Sequence, residues 1–135
     1  MNGTRFLLDT NICIYIRRRP PAVLARFRQL KAGEAVLSVI TYGELAYGAE
    51  KSEFREQARR QLAELAGLLP VLELPSRAGE FYGSISAALA ARGDMIGNND
   101  LWIAAHAKAA GLILVTNNER EFRRIHDLEI QNWAD

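Results

Sequence analysis

The short apolar stretches of this chain constrain its fold more than any other feature. Four are plain, at 5–8, 35–39, 71–74 and 112–116, and a weaker fifth lies near 129–131. They are too brief for a helix and do not alternate with polar residues. Continuous apolar character over so few positions predicts strands buried on both faces, as in a parallel sheet. Between them the pattern turns helical. From 53 to 69, Phe54, Ala58, Leu62, Leu65 and Leu69 trace one face, while Glu56, Arg60 and Glu64 form a charged ladder on another. Pro75-Ser76 opens a second helix through Phe81, Ile85 and Leu89 to Gly93, and a third covers 99–110 and stops at Gly111. Pro20-Pro21 separates a helix around 12–17 from one over 22–30. Strands and helices alternating in this way predict an α/β layer fold. With 135 residues and no repeat, low-complexity tract or linker, the chain reads as a single domain over 1–135.

Composition narrows the function classes. An apolar fraction of 49% is too high for a disordered chain. No apolar run approaches the roughly 20 residues that span a bilayer, and no basic-then-apolar leader opens the sequence. A soluble, cytoplasmic protein is expected. Cys13 is the single cysteine, so no intrachain disulfide can form, which suits a reducing compartment. His106 and His126 are too few to build a Cys/His zinc site with it. The balance of 17 Lys+Arg against 16 Asp+Glu leaves a net charge of +1, which by itself points to no nucleic-acid partner.

What remains for chemistry is oxygen, and its placement is informative. Ligands of open parallel sheets bind beyond the carboxyl ends of the strands. Asp9 directly follows Phe6-Leu7-Leu8. Glu44 falls in the first turn of the helix after the second strand, and Asp100 in the opening turn of the helix after Ile96-Gly97-Asn98-Asn99. The fourth junction supplies Asn117, Asn118, Glu119 and, one turn on, Glu121. Each also has a structural reading. Thr41-Tyr42-Gly43-Glu44 fits a capping box, Asp100 suits a helix dipole, and Asp9 could cap the helix starting near Thr10. As a group they read differently. Three carboxylates brought together without Lys or Arg would repel one another and be partly protonated. A hard divalent cation, Mg²⁺ or Mn²⁺, removes that penalty. Such a site can lower the pKa of a bound water and steady phosphate oxygens during an in-line displacement. The constellation therefore reads as a metal-dependent phosphodiesterase.

At these same residues the chain resembles the PIN-domain ribonucleases, specifically the VapC-type toxins of bacterial toxin–antitoxin pairs. The matching segments are Phe6-Leu7-Leu8-Asp9-Thr10-Asn11-Ile12, Ser38-Val39-Ile40-Thr41-Tyr42-Gly43-Glu44-Leu45, Ile96-Gly97-Asn98-Asn99-Asp100-Leu101-Trp102-Ile103-Ala104-Ala105-His106-Ala107, and Val115-Thr116-Asn117-Asn118-Glu119-Arg120-Glu121-Phe122. They occur in family order across nearly the whole chain. The resemblance implies a Rossmann-like PIN domain, with a mostly parallel sheet of four to five strands flanked by helices. It also implies Mg²⁺-dependent RNA cleavage, with tRNA among the candidate substrates, inhibition by a VapB-type antitoxin, and assembly as a homodimer or larger. The family's catalytic acids match Asp9, Glu44 and Asp100, with Asp9 and Asp100 as metal ligands. Its fourth position, often Asp, corresponds here to Asn118, which brings an amide and no charge. Glu121 could substitute if the loop folds back. Thr10, Asn11 and Thr116 are candidates for donors that orient these ligands.

The remaining polar residues divide. Asp94 reads as a loop or cap residue, His106 should point away from the acids because it lies about 240° around the helix from Asp100, and His126 should be solvated. Fourteen of the basic residues are Arg, with groups at Arg17-Arg18-Arg19, Arg26 and Arg28, and Arg120, Arg123 and Arg124. Arginine suits phosphate because its fork binds bidentately, and 17–19 could flank the pocket or simply end a helix. Tyr42, Tyr47, Phe54 and Leu62 carry apolar surface that either enters the core or, as the resemblance implies, contacts a dimer partner or antitoxin. Two other classes compete. A haloacid-dehalogenase-like phosphatase would use Asp9 as nucleophile, yet needs a second acid where Asn11 stands and a Lys near the fourth strand. A catalytically weak PIN domain, acting as an RNA- or partner-binding module, is favoured only by Asn118.

Overall fold

The computed structural model describes residues 3–16 and 21–134. Its elements in chain order are β1 (Phe6–Leu8), α1 (Thr10–Ile16), α2 (Pro21–Arg28), β2 (Ala35–Ser38), α3 (Val39–Lys51), α4 (Arg55–Leu68), β3 (Val71–Leu72), α5 (Arg77–Arg92), α6 (Asn98–Ala110), β4 (Ile113–Val115), α7 (Glu119–Phe122) and β5 (Ile130–Gln131). The five strands form one sheet in the order β3-β2-β1-β4-β5, and every pairing is parallel. The α/β sandwich expected from the apolar runs is what forms, and the weak run near 129–131 is a true edge strand.

Strand register explains why those runs do not alternate. Leu7, Val36 and Leu114 enter a core on one face, with Leu89 of α5, Leu101 and Ile103 of α6 and Phe122 of α7. Phe6, Leu8, Leu37 and Val115 enter a core on the other, with Ile12 of α1, Val23 of α2, Leu45 of α3, Leu62 of α4 and Trp133. Neighbouring strand residues point to opposite faces, so a strand covered on both sides must be apolar throughout. Trp133 closes the second core, taking the edges of Phe6 and Phe27 at centroid distances of 5.1 and 5.8 Å.

Helix boundaries follow local chemistry. Gly93 and Gly111 end α5 and α6 at φ 69° and 67°, the left-handed conformation that glycine adopts without steric cost. Two sequence readings need correction. Phe54 does not join the buried stripe of α4; it precedes the helix and is 69% exposed. Helix α3 begins directly after Ser38, whose Oγ accepts a hydrogen bond from the Ile40 amide at 3.1 Å. The cap lies three residues upstream of Thr41, so the capping box is not the structure adopted, and Glu44 sits in the second turn with its carboxylate released for other contacts. Tyr42, like Leu62, packs against the core, whereas Tyr47 is 65% exposed. Among the described residues, no helix is long and apolar enough to cross a membrane.

The order β3-β2-β1-β4-β5 reverses direction between β1 and β4. Chains leaving the carboxyl ends of these two strands diverge to opposite sides of the sheet and leave a crevice between them. Asp9 stands at the end of β1 and Thr116 at the end of β4.

Candidate active site

Asp9 is fixed from both sides of that crevice. It is 2% exposed. Its Oδ1 accepts the Ile12 amide at 2.8 Å, which caps α1. Its Oδ2 accepts the Thr116 hydroxyl at 2.5 Å. The Thr116 Oγ1 in turn accepts the Asn118 amide at 2.8 Å, so the loop after β4 is held to the same carboxylate. The capping reading of Asp9 is thus correct for one oxygen and does not exhaust the residue. Burial raises its pKa to about 6 against the pull of these donors, and the charge of Glu44 adds to the rise.

Asp100 lies in the first turn of α6, half-buried. Its pKa is also raised to about 6, first by burial and then by the charges of Glu121, Asp9 and Glu44. Among the described residues neither Asp9 nor Asp100 has a Lys or Arg in an ion pair. The two acids therefore share one electrostatic environment with Glu44 and Glu121, and that environment is short of positive charge.

Glu44 bridges three elements. One carboxylate oxygen accepts the hydroxyl of Thr10 on α1, and the other accepts the side-chain amide of Asn99 on α6 at 3.2 Å. Residues separated by 34 and 55 positions are joined here, which a local cap would not do. At the fourth junction Asn118 and Glu121 are joined to each other. Asn118 donates its side-chain amide to Glu121 Oε2 at 2.6 Å, and Glu121 is the largest charge acting on Asp100. The signal in the sequence was the three-residue spacing of Asn118 and Glu121 at the start of a helix.

Other candidates lie elsewhere. Asp94 follows the Gly93 cap, donates its amide to the Leu89 carbonyl at 2.9 Å and pairs with Arg92 at 3.6 Å. His106 is 1% exposed and its Nδ1 meets Ser38 Oγ at 2.9 Å, so it faces the interior at the end of β2, and burial lowers its pKa. His126 is exposed. Arg123 pairs with Glu119 at 2.6 Å, and Arg124 donates to the Met95 carbonyl at 3.0 Å. Arg123 nonetheless keeps its side chain 72% exposed. The group 17–19 lies outside the described residues.

The donor set fits a hard divalent cation. Every group is an oxygen, and burial together with neighbouring carboxylates raises the pKa of two of the carboxyls. Among the described residues no three Asp, Glu, His or Cys side chains already converge at ion-holding positions.

Comparison with known proteins places these features in a family. The PIN-domain model matches residues 6–128. The chain is 46% identical over 131 residues to ribonuclease VapC2 of Haemophilus influenzae, covering 96% of this chain and 98% of that protein. It is 41% identical over 131 residues to the tRNA(fMet)-specific endonuclease VapC of Shigella flexneri, with the same coverage of 96% and 98%. The structure superposes on VapBC-1 from nontypeable Haemophilus influenzae with a TM-score of 0.91 at 40% identity, covering 98% and 100% of the two chains. The DNA-bound VapBC of Salmonella typhimurium gives a TM-score of 0.92 at 40% identity, covering 96% and 98%.

Proposed function

The chain belongs to the PIN-domain family, in its VapC ribonuclease branch, and on that premise we propose that Asp9, Glu44, Asp100 and Glu121 form the acidic centre of an Mg²⁺-dependent endoribonuclease. It is the toxin component of a VapBC-type module. The observation supporting the site assignment is that Thr116 reaches Asp9 from β4 while Thr10 and Asn99 reach Glu44 from α1 and α6, with no Lys or Arg paired to Asp9 or Asp100 among the described residues.

Asp9 and Asp100 are assigned as the residues that hold the ion, with Mn²⁺ an alternative to Mg²⁺. When bound, the cation would acidify a water and neutralise charge on the phosphate being cut. The remaining work belongs to side chains. Thr116 and the Ile12 amide fix the rotamer of Asp9, which avoids reorganisation as charge develops. Thr10 and Asn99 hold Glu44 across the mouth of the crevice, where its carboxylate can orient a water. Asn118, the amide at the family's fourth acidic position, is assigned to aiming Glu121, so the charge missing at 118 returns three residues later.

We assign as partners an RNA, with tRNA as the leading class by similarity to the Shigella flexneri endonuclease, and a VapB-type antitoxin by similarity to the VapBC complexes. Self-association as a homodimer or larger assembly, a single domain over 1–135 and a cytoplasmic setting complete the proposal. Sequencing of RNA fragments after brief expression tests it. Discrete new ends present with the wild type and absent with Asp9→Asn are expected. The same ends in both would refute the assignment of Asp9.

A further inference from the structure

Glu44, with its partners Thr10 and Asn99, lines one end of a groove along α3. The groove runs from Thr10, Glu44 and Asn99, over Val39 and Gly43, to Tyr47. Val39, Gly43 and Tyr47 recur every four residues and so share one helix face. This face is wet, with Val39 41% and Tyr47 65% exposed. Apart from its chain neighbours and the backbone of its own helix turns, nothing lies within 4 Å of where a Gly43 side chain would begin, so the floor is open. Lys51, one turn on, places its ammonium over one face of the Tyr47 ring, 4.8 Å from the centroid.

We propose that Tyr47 is a stacking platform for the base next to the cleaved bond, with Lys51 contacting the following phosphate; this rests on the ribonuclease reading of the acidic centre. A carboxylate, an aromatic ring and a cation lie together along this groove, the cation against one face of the ring. Tyr47 lies three residues past Glu44, about 4.5 Å along the helix axis, within reach of a base attached at the acidic centre. An exposed ring accepts any base because every base has a π-face, and unstacked single-stranded RNA is what such a ring recognises. An acidic centre also repels the RNA backbone, and Lys51 offsets that repulsion at the outer end of the groove. Tyr47 would act as a positioning residue for the substrate.

The test is fluorescence anisotropy with a labelled, mixed-sequence single-stranded RNA octamer, using Asp9→Asn protein so that bound RNA stays intact. Tyr47→Ala should weaken binding about tenfold or more, and Tyr47→Trp should restore it. Gly43→Met should weaken binding comparably by filling the floor, with the thermal midpoint retained. Equal affinity in all four proteins would overturn the platform and leave metal-dependent cleavage by the wild type unaffected. The reverse result, no metal-dependent cleavage by the wild type but the expected affinity pattern, would overturn the hydrolase reading and keep the platform. If Tyr47→Ala instead dissociates a dimer in light scattering while RNA affinity holds, the groove belongs to a second copy and the proposal fails.

Discussion

The side-chain amide of Asn118 donates to Glu121 Oε2 at 2.6 Å, so an uncharged residue restrains a carboxylate three residues on. It predicts unequal roles. Glu121→Gln should lower kcat more than Asn118→Ala, because the first removes a charge and the second only its restraint. Loss of an orienting partner of this kind costs roughly 10–100-fold. In a double-mutant cycle the effects should fall well short of additive. Steady-state cleavage of a labelled RNA in Mg²⁺ measures both.

Thr116 should matter through Asp9. Thr116→Val keeps the shape of a fully buried side chain and removes the donor to Oδ2. A hydrogen bond to a charged group contributes about 1.5–3 kcal/mol. The variant should fold, bind Mg²⁺ about tenfold or more weakly by calorimetry, and recover part of its activity at higher Mg²⁺. A variant with wild-type Mg²⁺ affinity would show that the bond serves packing alone.

The acids also set a pH dependence of stability in chelator. Asp9 is raised from 3.8 to about 6 on folding. The folded state therefore binds the proton more tightly than the unfolded chain. The resulting stabilisation is fully present below about pH 4 and is lost as pH rises through 6, a change of up to about 3 kcal/mol. His106 acts in the opposite sense: burial lowers its pKa, so its contribution is present above 6.5 and is lost as pH falls through the folded value. Comparing wild type with Asp9→Asn isolates the carboxyl. In EDTA, Asp9→Asn should gain in melting temperature relative to wild type between pH 4.5 and 7.5. Mg²⁺ should raise the wild type at pH 7.5 and leave the variant nearly unmoved.

Ser38 holds two structures at once, capping α3 through Ile40 and meeting the buried His106 at 2.9 Å. Ser38→Ala removes a cap and leaves a buried imidazole nitrogen without that contact, a loss of about 1–3 kcal/mol. Chemical denaturation should show it as a lower midpoint with an unchanged slope.

These relationships also mark what was readable without coordinates. Leu7, Leu37 and Leu114 are buried on strands because nothing but apolar residues fits between two helical layers, and that requirement is visible as composition. Asp9 was readable for a related reason, as a carboxylate ending a buried strand. Glu44 was harder. Its Thr-x-x-Glu spacing is a local pattern, while the partners that decide its role, Thr10 and Asn99, come from distant segments. Phe54 was misplaced because helical spacing continues one residue past the point where the backbone leaves the helix. Glu121 depended on how the loop after β4 folds, and only the structure shows its charge acting on Asp100.

On the proposed reading, Asp9 and Asp100 hold a divalent ion on which RNA cleavage depends. Its most direct measurement is a calorimetric Mg²⁺ titration run beside RNA cleavage on wild type, Asp9→Asn and Asp100→Asn at pH 7.5. Binding and cleavage should be present together in the wild type, and both should be lost in each variant and in EDTA. Undiminished cleavage in EDTA, or by Asp9→Asn lacking Mg²⁺ binding, would contradict it.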